Sequence, residues 1–428
     1  MKKYLIALIF VAATFTSPVQ AQKKLRPDAF PPKEEPSETK AITMASSPEQ
    51  MASWDRYPTY STYVTMMQQW AEAYPNLCRL DTLGTSGAGR LILSMEISSA
   101  LNDSTLPEFF YSSTMHGDEI TGYVMMLRLI DTLLSSYGEC PRLTALIDSI
   151  HICINPLANP DGTYHGGNNS VQNSWRYTST YSIDLNRLFP DPFSNSTITL
   201  PQENTAMINY LNRHHFRLSA NLHGGAEVLN YPWDSFTSTQ RPHPYQDWWI
   251  AVCERLIDTL HLYTSSHFID VEDNGYINGG DWYVIGGGRQ DYVNHYHNCL
   301  EMTMEISTSK KLSSNQLPTY WRFLSPMLIS YIEEIFTLPN NDEDPVGIDH
   351  TPLSTLNAPL TAGPNPATDH ITLNGLTPGT PLALYDMTGH LLWMRTAQNE
   401  SETLNISDLH GGIYMLRTSK GAIKMVKR

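Results

Sequence analysis

Two histidines stand directly after apolar, strand-prone runs: His116 in Met115-His116-Gly117-Asp118-Glu119, and His223 in Asn221-Leu222-His223-Gly224-Gly225. A His and a Glu three residues apart, such as His116 and Glu119, can turn both side chains toward one point. Imidazole nitrogen and carboxylate oxygen are both good zinc ligands. That pair alone is a weak signal, because His-x-x-Glu recurs by chance in a chain rich in both residues. His223 adds a third donor. Two His and one Glu leave a fourth position for water, the pattern of a catalytic rather than a structural zinc, and such a water can attack a carbonyl near neutral pH.

A general base would be a carboxylate facing a cavity from an otherwise apolar segment, where burial raises its pKa. Cys299-Leu300-Glu301-Met302-Thr303-Met304-Glu305-Ile306-Ser307 offers two, Glu301 and Glu305, on the same strand face. The residues alone do not separate them. Arg176, in Ser174-Trp175-Arg176, and Asn186-Arg187, in Ile183-Asp184-Leu185-Asn186-Arg187-Leu188-Phe189-Pro190, suit a substrate carboxylate and a developing oxyanion. Guanidinium forks match both.

The elements that must position these groups alternate. Strands are expected at Leu91–Ile97, Phe109–Ser113, Ile150–Ile154, Leu218–Leu222 and Leu300–Ile306, and helices at Tyr60–Tyr74, Ile120–Ser136, Tyr245–Leu262 and Tyr320–Phe336. This rhythm predicts an α/β domain with a buried sheet between helices, and sites at the carboxyl ends of its strands. After residue 337 the texture changes. Short β-prone runs at Ile371–Leu373, Leu382–Tyr385, His390–Trp393, Glu402–Ile406, Tyr414–Thr418 and Ala422–Val426, separated by turn residues, predict a small β-sandwich.

The expected layout is a signal peptide over residues 1–21, a flexible linker or pro-segment over 22–50, and a catalytic domain over 51–337, with order beginning near Trp54. A linker over 338–359 and a β-sandwich over 360–428 follow. Lys2 and Lys3, the apolar run Tyr4–Phe15, and small Val19 and Ala21 make the signal. The run is too short to span a membrane, so the mature chain is expected outside the cytoplasm with no transmembrane segment. A formal charge of -15 argues against a nucleic-acid partner, which needs a basic face. Cys78, Cys140, Cys153, Cys253 and Cys299 have no metal-site spacing, and no pairing can be deduced.

Taken in order, HGDE, INPLANPDG, WRY, DLNRLFPD, LHGGAEVLNYPWD, DWYVIGGGRQDY and CLEMTMEIS resemble the zinc metallocarboxypeptidases, most closely the carboxypeptidase N/E-like subfamily, over Tyr57 to Phe336. The resemblance implies a mixed eight-stranded sheet sandwiched between helices. It also implies one Zn2+ on His116, Glu119 and His223, Glu305 rather than Glu301 as general base, and Arg176 on the scissile carbonyl and oxyanion. Asn186 and Arg187 would clamp the terminal carboxylate of a peptide or protein, and Tyr283 would close over it. Asp234 and Gln290 fall where the subfamily receives a basic side chain, which implies a preference for C-terminal Lys or Arg.

The chain departs from the family pattern in three ways. Leu188 stands where many relatives have Asn, the transthyretin-like domain is missing, and Arg289 replaces the usual Met of GGMQDY. Arg289 would add positive charge beside the specificity pocket and weaken the preference for basic residues.

The tail resembles another module. Gly363-Pro364-Asn365-Pro366-Ala367, Leu384-Tyr385-Asp386-Met387-Thr388-Gly389, Ile406 to Tyr414 and Lys424 to Arg428 look like the C-terminal sorting domain of type IX secretion cargo. That implies passage through the periplasm and type IX machinery of a Bacteroidetes-like cell, to a secreted or cell-surface location. Two other readings share the ligands: an amidohydrolase acting on peptidoglycan stem peptides or acylated amino acids, and a non-catalytic binding protein on a degenerate scaffold.

Overall fold

The computed structural model describes residues 41–178, 182–194, 199–297, 299–339, 361–376, 378, 381–386, 391–418 and 421–428. The expected signal peptide, the linker up to residue 40 and the later linker from residue 340 lie outside them. Order starts earlier than Trp54. β1 (Met44–Ala45) pairs in parallel with β2 (Tyr57–Pro58), so residues 41–50 belong to the folded unit and not to a linker.

Helix α1 (Tyr60–Ala73) begins on the Thr59 side chain, which accepts from the Thr62 N–H, an N-cap worth about 1 kcal/mol. There follow β3 (Cys78–Thr85), β4 (Leu91–Ile97), β5 (Glu108–Ser113), α2 (Thr121–Ser135), α3 (Pro141–Ser149), β6 (His151–Asn155) and α4 (Pro160–Thr163). Next come α5 (Gln202–Arg213), β7 (Phe216–His223), β8 (Ala226–Tyr231), α6 (Gln246–His261), β9 (Tyr276–Asn278), α7 (Gly279–Trp282), α8 (Arg289–Tyr296), β10 (Leu300–Ser307) and α9 (Leu317–Glu333).

Strands β3 to β10 form one mixed eight-stranded sheet in the order β3-β4-β6-β5-β7-β10-β8-β9. Alternating side chains divide its two faces. Phe109 and Tyr111 pack with α1, α2, α3, α6 and α9, whereas Phe110 packs with α5 and α8. Helix α9 is tied to the sheet by buried hydroxyls: Tyr331 donates to the Ser219 carbonyl at 2.8 Å, and Tyr111 donates to the Leu328 carbonyl at 2.9 Å. Each such bond contributes roughly 1 kcal/mol, and losing its partner costs more.

At the centre, β5, β7 and β10 run parallel and adjacent, with Ser113 opposite Leu222 and His223 opposite Glu305. Three carboxyl ends therefore open at one place, as an α/β sheet requires of a site.

The tail contains β11 (Thr361–Gly363), β12 (His370–Asn374), β13 (Pro381–Asp386), β14 (Leu391–Thr396), β15 (Ser401–Asn405), β16 (Gly412–Thr418) and β17 (Gly421–Lys427). They form antiparallel sheets in the orders β11-β12-β15 and β14-β13-β16-β17, around a core that includes Ile371, Leu373, Leu384 and Leu416. No helix among the described residues is long and apolar enough to cross a membrane, and none of the five cysteines is paired.

Candidate metal and catalytic site

His116 and Glu119 lie in the turn from β5 into α2. Gly117 lets that turn press against α4: a Cβ there would stand 2.4 Å from the Gly162 carbonyl carbon. His223 ends β7. All three side chains are buried. Nδ1 of His116 lies 3.0 Å from each Glu119 oxygen, Nδ1 of His223 lies 2.8 Å from Glu119 Oε2, and the two Nδ1 atoms are 3.1 Å apart.

The outer nitrogens explain the inner ones. His116 Nε2 meets Asp184 Oδ1 at 3.0 Å, and His223 Nε2 meets Asn221 Oδ1. Both of those partners are acceptors, so each Nε2 donates its hydrogen and each Nδ1 keeps its lone pair. Two imidazole nitrogens and a carboxylate thus converge in a buried space, a donor set suited to a metal cation. Donors sharing a tetrahedral zinc stand about 3.3 Å apart, close to the spacing here. The residues fit the metal.

A second cluster, Asp81, Glu96 and His214, also brings donors together. Its charges are already engaged: Arg213 pairs with Asp81, Arg79 with Glu96, and Glu108 with His214.

The two carboxylates on β10 have different surroundings. Glu301 is fully buried and ion-paired to Arg289 at 2.8 Å, whereas Glu305 retains 8% exposure. Glu305 Oε2 is buried without a protein partner. Burial pushes the Glu305 carboxyl well above the usual carboxylate range, and repulsion from Glu119 adds to this while Lys310 and Arg176 oppose it.

Arg176 donates to Asp184 Oδ2 at 2.9 and 3.1 Å and reaches Glu119 at 3.4 Å, which places it beside the metal group. Asn186 is buried, and Arg187 Nη1 donates to the Asn186 carbonyl at 2.8 Å. Tyr283 caps the end of α7. Burial raises its hydroxyl pKa, the Glu305 carboxylate adds to this and Arg187 opposes it.

Asp234 and Gln290 are both buried and in contact, Gln290 Nε2 donating to Asp234 Oδ1 at 2.8 Å. Asp291 accepts from the N–H groups of Asp234 and Ser235 at 2.7 and 2.9 Å. A Cβ on Gly279 would stand 2.1 Å from Asp234 Oδ1, so only glycine leaves that carboxylate room.

Arg289 corrects an expectation. Its side chain is fully buried, turned away into the sheet, paired with Glu301 and stacked 4.9 Å from the Phe110 ring centre. Its charge is paired there with the Glu301 carboxylate and does not contact Asp234 or Gln290.

Asp184 and Lys310 were not singled out from sequence. Asp184 bridges His116 and Arg176, and Lys310 Nζ lies 3.1 Å from Glu119 and 3.6 Å from Asp118. Asp184 falls within the DLNRLFPD motif, but its partner His116 is 68 positions away and no local spacing links them.

Comparison with known proteins agrees with this geometry. A family model described as zinc carboxypeptidase matches residues 63–324, and one described as secretion system C-terminal sorting domain matches residues 363–428. The chain is 33% identical over 298 residues to carboxypeptidase M of Mus musculus, covering 65% of this chain and 66% of that protein. It is 30% identical over 315 residues to carboxypeptidase D of Anas platyrhynchos, covering 70% of this chain but only 22% of that protein. It thus spans slightly less than two thirds of the first relative and about a fifth of the second.

A solved structure of carboxypeptidase A from Helicoverpa armigera superposes with a TM-score of 0.57 at 19% identity, covering 68% of this chain and 77% of that one. At that identity the superposition speaks for the fold alone. Since the zinc carboxypeptidase model spans more than half of the 428 residues and encloses His116, Glu119 and His223, the chain belongs to the zinc carboxypeptidase family.

Proposed function

We propose that the chain is an exported zinc exopeptidase that removes C-terminal residues from peptides and proteins, with a preference for Lys and Arg. The observation that carries the preference is the buried Asp234 carboxylate, held by Gln290 beside the groups that would clamp the substrate. A buried carboxylate favours a cationic side chain and is left unpaired by an apolar or acidic one.

Nδ1 of His116, the Glu119 carboxylate and Nδ1 of His223 would hold a zinc ion, which would supply Lewis acidity toward a carbonyl and a water molecule. Glu305 takes the proton of the attacking water and returns it to the leaving amine. Arg176 steadies the charge that develops on the carbonyl oxygen. Asn186 and Arg187 hold the free carboxylate of the last residue, so chain ends are cut and internal bonds are not. Tyr283 covers the bound end.

The sorting-domain match supports export through type IX machinery to the cell surface or beyond. The preference is tested by kcat/KM on matched peptides ending in Lys, Arg, Phe and Glu. Lys and Arg peptides should lead by at least tenfold; equal values, or a lead for Phe, would refute it.

A further inference from the structure

Arg289 and Glu301 are both fully enclosed, and the chemistry described above uses neither. Removing two charges from water is costly and is repaid only by good geometry and full hydrogen bonding, so such a pair invites an explanation. The Glu301 carboxylate accepts from Arg289 Nη2 at 2.8 Å, from Ser219 Oγ at 2.7 Å and from Asn221 Nδ2 at 3.2 Å. Arg289 Nη1 donates to Ser112 Oγ, and the guanidinium lies over the Phe110 ring. These contacts pin the start of α8 to β5, β7 and β10.

Two consequences reach the site. An ionised carboxylate only accepts, so Asn221 must present its NH2 to Glu301 and its oxygen to His223. That orientation requires hydrogen on His223 Nε2 and leaves Nδ1 as the lone-pair nitrogen facing Glu119. On the other side, the Arg289 N–H donates to Asn186 Oδ1 at 2.9 Å and fixes which way that carboxamide points.

We infer that the buried Arg289–Glu301 pair is a positioning device that sets the His223 tautomer through Asn221 and orients Asn186 through the start of α8. It rests on the assignment of His223 to the metal and of Asn186 to the substrate carboxylate.

The test uses the full chain loaded with zinc and compares wild type with Arg289→Met/Glu301→Leu, which removes both charges and leaves neither unpaired. Thermal melting checks that the variant folds. Zinc release to a chromophoric chelator should be at least tenfold faster, in line with the effect of losing groups that orient metal ligands. KM for a Lys-ended peptide should rise at least threefold while kcat changes less. Arg289→Lys, which keeps the charge on Glu301, should restore release to within threefold of wild type.

Should the double variant fail to fold, Arg289→Met/Glu301→Gln keeps the shape of Glu301 while letting its amide face either way, and release should still quicken at least threefold. A folded variant of either kind with wild-type zinc release and unchanged KM overturns the inference. Wild-type protein that takes up no zinc overturns the metal assignment itself, and the positioning role with it.

Discussion

The Gln290 side-chain amide donates to Asp234 Oδ1 at 2.8 Å, and both groups are buried. Burial raises the Asp234 pKa, and repulsion from Asp291 raises it further, while Arg187 opposes both. A raised carboxyl is neutral below its pKa and gains its charge as pH rises. The ratio of kcat/KM for Lys over a neutral isostere such as norleucine should therefore climb with pH on the acid side. Asp234→Asn should flatten that climb and reduce the ratio by roughly 30-fold, equivalent to about 2 kcal/mol for a charged hydrogen-bonded contact. A pH-independent ratio in the wild type would remove Asp234 from the pocket's chemistry.

Glu305→Gln should lower kcat by roughly 10²- to 10⁴-fold, the range for loss of a general base, while zinc content and KM stay close to wild type. The Glu305 carboxyl is raised by burial first and by Glu119 second. Since the base works only when ionised, kcat/KM should rise with pH above the usual carboxylate range and lose this acid limb in the variant. Stopped-flow assays over an acid-to-neutral series measure this; an unchanged limb in the variant would assign the limb to another group.

Arg187→Met should raise KM for a free C-terminus at least tenfold. Amidated peptides are expected to be poor substrates of the wild type, and the variant should narrow the gap between amidated and free forms, because one partner of the carboxylate is gone. Initial rates on the paired peptides decide it. An undiminished gap would locate the clamp elsewhere.

Much of the sheet was legible because its central strands are short segments rich in apolar residues and buried along most of their length. Leu91–Ile97 matches the strand observed there, and the ends of β5, β7 and β10 were anticipated within two residues. Strands β3 and β8 were less visible: β3 lies at the sheet edge with a mixed burial pattern, and β8 carries Glu227 and Asn230 inside a buried run. Chemistry-bearing residues in motifs were readable because strand ends gather them. Which way a side chain turns was not. Arg289 and Gln290 are neighbours in sequence, yet one pairs with Glu301 and the other with Asp234, since successive residues of α8 point in different directions. Glu301 and Glu305 share a strand face, and only their partners, Arg289 and the metal group, tell them apart.

The central claim is that zinc at His116, Glu119 and His223 drives removal of single residues from chain ends. The most direct measurement is mass spectrometry of a Lys-ended peptide incubated with the purified protein, with chelator, and with chelator followed by zinc. The account predicts loss of the terminal Lys alone, abolished by chelator and restored by zinc. Cleavage that persists without metal, or cuts at internal bonds, would contradict it.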